Sequence, residues 1–264
     1  MDLELAGKSV IVTGGASNIG RAITLAFAGE GANITLADLD GEQAGKVAAA
    51  ARQNGAADIQ VVPTDVTDME QVQSMVASAE DRYGEIDVLV NSVGWDRLMF
   101  FMQTTPDFWR RVVDVNFMGM LNCTYTVLER MVKTGGAIVS ISSDASRQGE
   151  PKEAVYGAMK AGINSFMKTI ARENGRYGVR CNVVCPGVTV PEEDEEIGVN
   201  SMWTNKDEMF TEEQLTRIAA GLPLKRLGRP LDVTGAVLFL SSEVAAGYVT
   251  GQVLSVSGGY SMIG

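Results

Sequence analysis

The chain has 264 residues, of which 45% are hydrophobic and 21% charged, enough for a sizeable core without a disulfide or metal staple. Its formal net charge of −11 sets it against nucleic acid and anionic membranes, both of which repel an acidic protein. Histidine is absent, which removes Ser-His-Asp hydrolases, histidine-held metal sites and any mechanism that carries its proton on imidazole.

The first residues, Met1-Asp2-Leu3-Glu4, lack the basic segment of a signal peptide, and no apolar run reaches the length of a membrane span. A cytoplasmic protein is expected. A strand over 9–12 leads into Thr13-Gly14-Gly15-Ala16-Ser17-Asn18-Ile19-Gly20 and a helix over 21–29. A glycine-rich turn between strand and helix lets backbone approach a pyrophosphate and aims free helix N–H groups at it. Gly14 and Gly20 meet that need, with Ser17 and Ile19 between them. Asn18 stands where a third glycine is expected, and asparagine tolerates left-handed backbone better than most residues. An ordinary tight turn would use the same glycines. The next strand, over 33–37, ends at Asp38. A carboxylate there can accept hydrogen bonds from the adenosine ribose and repels a 2′-phosphate. Neither Ser17 nor Leu39 brings a compensating positive charge, so the cofactor expected is NAD rather than NADP.

A helix over 41–54, a strand over 59–62 and a helix over 69–83 follow. Asp65 and Val66, just past the third strand, are placed to border the adenine, although an aspartate there is commonly a helix cap. Beyond a short strand over 88–90, a long helix is expected over 108–131, a strand over 137–141 and a second long helix over 154–177. Strands over 180–184 and 253–256 complete the set. Short apolar strands without alternation, separated by helices, mark a parallel sheet covered on both faces. The expected fold is α/β: a single Rossmann-type, doubly wound domain over 1–264, with about seven parallel strands and helices on both faces. One segment, 188–228, breaks the rhythm after Pro186-Gly187. Its run Glu192-Glu193-Asp194-Glu195-Glu196 reads as a solvated loop or as part of a small substrate lid, with Met202, Trp203, Met209 and Phe210 as the apolar underside. Cys123, Cys181 and Cys185 are odd in number and lack zinc spacing, so buried reduced thiols and no metal site are expected.

Tyr156-Gly157-Ala158-Met159-Lys160 sets a tyrosine and a lysine one helical turn apart on one face. Ser143 ends the strand before them and Asn116 sits in the preceding long helix. With the turn over 13–20, Asn91-Ser92-Val93-Gly94 and Pro186-Gly187, the chain resembles the short-chain dehydrogenase/reductase family over essentially its whole length. The resemblance implies a nicotinamide-dependent oxidoreductase that interconverts an alcohol and its ketone through Asn116, Ser143, Tyr156 and Lys160. Tyr156 would be the acid/base. A free tyrosine, with a pKa of about 10, is a poor base at neutral pH, and the Lys160 ammonium together with the positive nicotinamide would favour its phenolate. Ser143 would hold the substrate oxygen. Lys160 would also hold the nicotinamide ribose, and Asn116 would anchor a water linking Lys160 to solvent; the plainer reading of Asn116 is a helix-bending polar residue. The cofactor set implied adds Asn91, Ser92, Val93, Gly94, Pro186, Gly187, Val188 and Thr189 to the residues above, with Tyr156 and Lys160. Two departures stand out. Ser92 and Val93 replace the usual Asn-Ala pair, and Pro191 replaces a threonine, leaving Thr189 to reach the carboxamide.

Gly94-Trp95-Asp96, Ser143-Asp144-Ala145 and Glu153-Ala154-Val155-Tyr156 are similar to segments of the family's alicyclic alcohol dehydrogenases, the 2-hydroxycyclohexanecarboxyl-CoA type included. Trp95, Asp96, Ser143, Asp144, Met202 and Trp203 are the expected substrate contacts. CoA's negative charges would be repelled by the acidic run unless Arg97, Arg147 or Lys152 compensates, which favours a small uncharged cyclic or terpenoid secondary alcohol. A 3-oxoacyl thioester reductase, normally drawing on NADPH, is an alternative, as is a non-catalytic cofactor-binding homologue. An epimerase or dehydratase is disfavoured by the short C-terminal part. Members of the family are usually homotetramers built through the two long helices, so self-association is expected, with neither nucleic acid nor membrane as partner.

Overall fold

Every residue of β1 (Ser9–Thr13), β4 (Val88–Asn91) and β6 (Val179–Pro186) is buried, as central strands covered on both faces must be. A computed structural model, describing residues 2–205 and 209–263, joins them to β2 (Asn33–Asp38), β3 (Asp58–Pro63), β5 (Gly136–Ile141) and β7 (Val253–Val256). Among the described residues the result is one seven-stranded parallel sheet, ordered β3-β2-β1-β4-β5-β6-β7. Among the described residues the α-helices are α1 (Asn18–Gly29), α2 (Gly41–Gln53), α3 (Met69–Tyr83), α4 (Pro106–Val113), α5 (Gly119–Thr134), α6 (Ala145–Gln148), α7 (Ala154–Asn174), α8 (Glu212–Gly221), α9 (Pro230–Ser241) and α10 (Glu243–Ala246).

Alternation along β1 divides the core in two. Val10 and Val12 pack with Ile23 and Phe27 of α1, Val47 of α2 and Val237 of α9. Ile11 faces the other layer, with Met75 of α3, Val127 of α5 and Ile163 and Met167 of α7. Cys123, Cys181 and Cys185 are buried free thiols. Asp40 and Asp68 start α2 and α3 by accepting the backbone N–H groups of Gln43 at 3.0 Å and Glu70 at 2.9 Å, which satisfies donors that the first helical turn leaves free. No helix among the described residues is long and apolar enough to cross a membrane.

The long helix expected over 108–131 is present, helical without interruption from Pro106 to Thr134, but it is not uniformly α-helical. Between α4 and α5 the chain widens into a π-helical turn, Asp114–Met118, that carries Asn116. Helices α8 and α9 were not anticipated. α9 packs against α1 and the sheet, but Leu231 and Phe239 place apolar side chains on its exposed side as well, so it has no amphipathic period to read. The excursion over 188–228 is stapled at its base by the parallel bridge Thr189↔Gly228, with Val190 N–H donating to Gly228 O and Gly228 N–H to Val188 O, both at 3.0 Å.

From β1 the chain runs outward to β2 and β3, and from β4 in the other direction. The C-terminal ends of β1 and β4 therefore part over a crevice. Thr13 ties its floor, its hydroxyl donating to Val90 O at 3.3 Å and accepting from Ser92 N–H at 3.2 Å.

Candidate active site

A cleft of about 560 Å³ opens over these strand ends. The turn after β1 forms one end of it. Gly14 has φ +64, and a Cβ there would stand 3.1 Å from Val93; a Cβ on Gly20 would collide with the Gly14 carbonyl oxygen. Asn18 adopts φ +46, the left-handed backbone that asparagine reaches at modest cost, and its buried Oδ1 has no partner. Ser17 is the N-cap residue of α1 but makes no side-chain cap bond, so its hydroxyl leaves the first-turn N–H groups free. A glycine cradle, an uncapped helix N-terminus, the Ile19 wall and an orphaned carboxamide oxygen together fit a dinucleotide pyrophosphate.

Asp38 borders this end. Its Oδ2 accepts from Ala16 N–H and its Oδ1 from Asp40 N–H, both at 3.0 Å, and each oxygen retains accepting capacity. Burial raises its carboxyl above the ordinary value, against the lowering effect of those backbone bonds. Leu39 lies at the rim, 59% exposed. Asp65 and Val66 line the cleft. Asp65 accepts from the N–H and hydroxyl of Thr67 at 2.9 and 2.7 Å, while the cap of α3 is Asp68. Ser92, Val93 and Gly94 form the floor. Asn91 lies beneath it, outside the cleft wall, donating from Nδ2 to Thr124 at 3.1 Å and Ser140 at 3.2 Å. Pro186, Gly187, Val188 and Thr189 border the opposite side; the Thr189 hydroxyl is turned to the Gly187 carbonyl at 3.2 Å.

At the other end, Lys160 is 2% exposed. Its Nζ donates to Ile141 O at 3.0 Å and lies 5.5 Å from the centroid of the Tyr156 ring. Burial lowers its ammonium to about 8. The Ser143 hydroxyl is hydrogen-bonded to the Tyr156 phenol and accepts from Ala145 N–H at 3.1 Å. Burial, and then the carboxyls of Glu153 and Asp96, push the phenol above its ordinary value; the Ser143 bond opposes them. In the free protein burial thus outweighs the Ser143 contact, and the phenol holds its proton more tightly than a free tyrosine does. Asn116 stands behind this group, not on the cleft wall. Its Oδ1 accepts from Trp95 N–H at 3.1 Å, and its Nδ2 donates to Trp95 O at 2.7 Å and Val112 O at 2.9 Å. The widened π turn thus aims its carboxamide at the main chain of the loop after β4. A Cβ on Gly94 would lie 3.3 Å from Lys160 Nζ and 3.4 Å from Asn116 Oδ1, so the floor touches both.

Trp95, Asp144, Met202, Trp203, Met209 and Phe210 all reach the cleft. Trp203 and Phe210 stack at 6.4 Å, and the Arg111 guanidinium lies 3.9 Å over the Trp95 ring. Two expected substrate contacts are placed differently. Asp144 turns its Oδ2 to the Ser255 hydroxyl at 2.7 Å. Asp96, 4% exposed, is not part of the wall; its Oδ2 has no partner and burial pushes its carboxyl up to about 7. Opposite the apolar lid stand residues the sequence reading missed: Glu150, Glu153 and Tyr260. The Tyr260 hydroxyl donates to Glu150. Glu153 is pushed up to about 8 by burial, then by Asp96 and Glu150. Its position one helical turn before Tyr156 was a usable signal. Tyr260 and Arg111 arrive from distant segments and carried none.

Comparison with known proteins gives a consistent picture. Residues 14–261 match the family model described as enoyl-(acyl carrier protein) reductase. The 3-oxoacyl-[acyl-carrier-protein] reductase FabG of Thermotoga maritima is 36% identical over 260 residues, spanning 97% of this chain and 99% of that one. The L-rhamnose 1-dehydrogenase (NAD(P)(+)) of a Sphingomonas species is 35% identical over 97% of this chain and 96% of its own. Among solved structures, a putative short-chain alcohol dehydrogenase from Sinorhizobium meliloti superposes with a TM-score of 0.87 at 28% identity, covering 98% of each chain.

Proposed function

The chain belongs to the short-chain dehydrogenase/reductase family of oxidoreductases, and from that premise we propose that it interconverts a secondary alcohol and its ketone with NAD, Tyr156 moving the proton. The observation that carries this reading is the convergence of Ser143, Tyr156 and Lys160 on one cleft whose far end is the glycine cradle. The dinucleotide, when bound, supplies or accepts the hydride. In the reducing direction the hydroxyls of Ser143 and Tyr156 donate to the substrate carbonyl oxygen. Tyr156 gives up its proton as the alcohol O–H forms, and the Lys160 ammonium stabilises the phenolate left behind. Oxidation runs the same transfer backward, with the phenolate as base. Asn116 acts as a positioning residue through Trp95.

Asp38 supports NAD, since its carboxyl would repel a 2′-phosphate. For the substrate, the apolar face of Met202, Trp203 and Phe210 supports a small uncharged ketone, cyclic ones included. A second reading, reduction of a 3-oxoacyl thioester, has the stronger support from the relatives' names. Assays of NADH and NADPH against cyclic ketones and acetoacetyl-CoA separate these. NADH-linked turnover of a ketone is expected; turnover confined to NADPH contradicts the cofactor reading, and acetoacetyl-CoA outrunning every cyclic ketone selects the thioester. A cytoplasmic homotetramer built through α5 and α7 belongs to the same proposal, supported by Tyr125, 58% exposed on α5. Light scattering of the purified protein tests it.

A further inference from the structure

The acidic run is not simply solvated. Its residues 192–195 are exposed, but Glu196 is partly buried and docked. Glu196 Oε1 pairs with Arg21 Nη1 at 3.1 Å, with 25% and 16% of the Arg21 and Glu196 side chains exposed, and its Oε2 accepts from Glu192 N–H at 2.8 Å. The Ser17 hydroxyl meets Glu196 O at 3.4 Å and accepts from Gly198 N–H at 3.2 Å. Gln43 Nε2 donates to Glu195 O at 2.7 Å, and Val199 N–H donates to Asp40 Oδ2 at 3.1 Å. The strap over 191–199 therefore crosses from the first turn of α1 to the start of α2, passing the strand end that carries Asp38.

Its charge matters as much as its path. Among the described residues the cleft wall carries two cations, Arg111 and Lys160, and both are committed at the Tyr156 end, to the Trp95 ring and the Ile141 carbonyl. The adenosine end is lined by Asp38, Asp40 and Asp65. Arg21 stands in the first turn of α1, directly after the glycine cradle, and Glu196 pairs with it.

We propose that the strap, through Glu196, is a second determinant of cofactor choice in this protein: it neutralises Arg21 and leaves the adenosine end without a free cation for a 2′-phosphate. This deepens the NAD reading above and rests on it. Asp38 alone is then an incomplete switch, because its oxygens also brace the Ala16 turn and Asp40. If Glu196 served only to dock the strap, its removal would alter the binding of both dinucleotides alike.

Fluorescence titration with NADH and NADPH reads this without turnover. In Glu196→Gln, NADPH binding should tighten about tenfold relative to NADH, and the gain should shrink at high salt. Adding Arg21→Gln should abolish the gain, whereas Arg21→Lys in the Glu196→Gln background should keep most of it; the lysine variant serves if the glutamine one folds poorly. Equal changes for both cofactors, or a gain that survives Arg21→Gln, overturn the proposal. A wild-type protein that prefers NADPH overturns the NAD reading itself, which the variant ratios do not decide.

Discussion

Tyr156 is set between groups that pull its proton in opposite directions. The Ser143 bond favours the phenolate, while burial and the carboxyls of Glu153 and Asp96 favour the phenol. The protein thus holds a proton ready for reduction and must lose it before oxidation. Glu153, pushed up to about 8, becomes a full negative neighbour only in mildly alkaline solution. Glu153→Gln removes that charge and so makes the Tyr156 phenol easier to ionise. The alkaline rise of the oxidation rate should accordingly move to lower pH in the variant, and an unmoved profile would separate Glu153 from Tyr156. Asn18 invites a backbone test. At φ +46, Asn18→Ala should cost about 1 kcal/mol in thermal unfolding and weaken NADH binding, while Asn18→Gly should keep the turn.

The glycine-rich turn, Asp38 and the Tyr156–Lys160 spacing were legible in the sequence because each is a local requirement of backbone or helix geometry. The strand set was equally legible, since β1, β4 and β6 are apolar without alternation. What was hidden depends on tertiary partners. α9 has no polar face to reveal its period, and the π turn between α4 and α5 carries the buried carboxamide that bonds to the Trp95 main chain. No sequence period announces a π turn, and such turns often mark functional sites. Asn116→Ala leaves the Trp95 N–H and carbonyl without their partner, which should cost about 1–3 kcal/mol. Because Asn116 is off the cleft wall, the rate should fall further than NADH affinity. Equal losses in both would reduce it to a structural residue. The strap was left open between loop and lid for a similar reason: Arg21 and Gln43, which receive it, lie far away in the chain.

Across the whole molecule, one topology serves both halves of the site. The parting of β1 and β4 places the glycine cradle beside the ends of β5 and β6, so that cofactor and proton-moving groups share one crevice. The two most strongly raised carboxyls make the whole fold pH-sensitive. Asp96 and Glu153 stand at about 7 and about 8 when folded, above an unfolded carboxylate, so the folded chain holds protons that the unfolded chain has released. Their contribution to stability is complete at acidic pH and is lost as pH rises through those values. The unfolding temperature should therefore decline as pH rises above the ordinary carboxyl values of 3.8 and 4.5 and level off above about 8, with a smaller decline in Glu153→Gln; a rise over that range would reverse the assignment. The central claim is that Tyr156 carries the proton of a nicotinamide-linked carbonyl reduction. Its most direct test is Tyr156→Phe, measured on the best ketone of the panel with NADH. The rate should drop by roughly a hundredfold or more with NADH binding retained, whereas turnover within a few-fold of the wild type would contradict the mechanism.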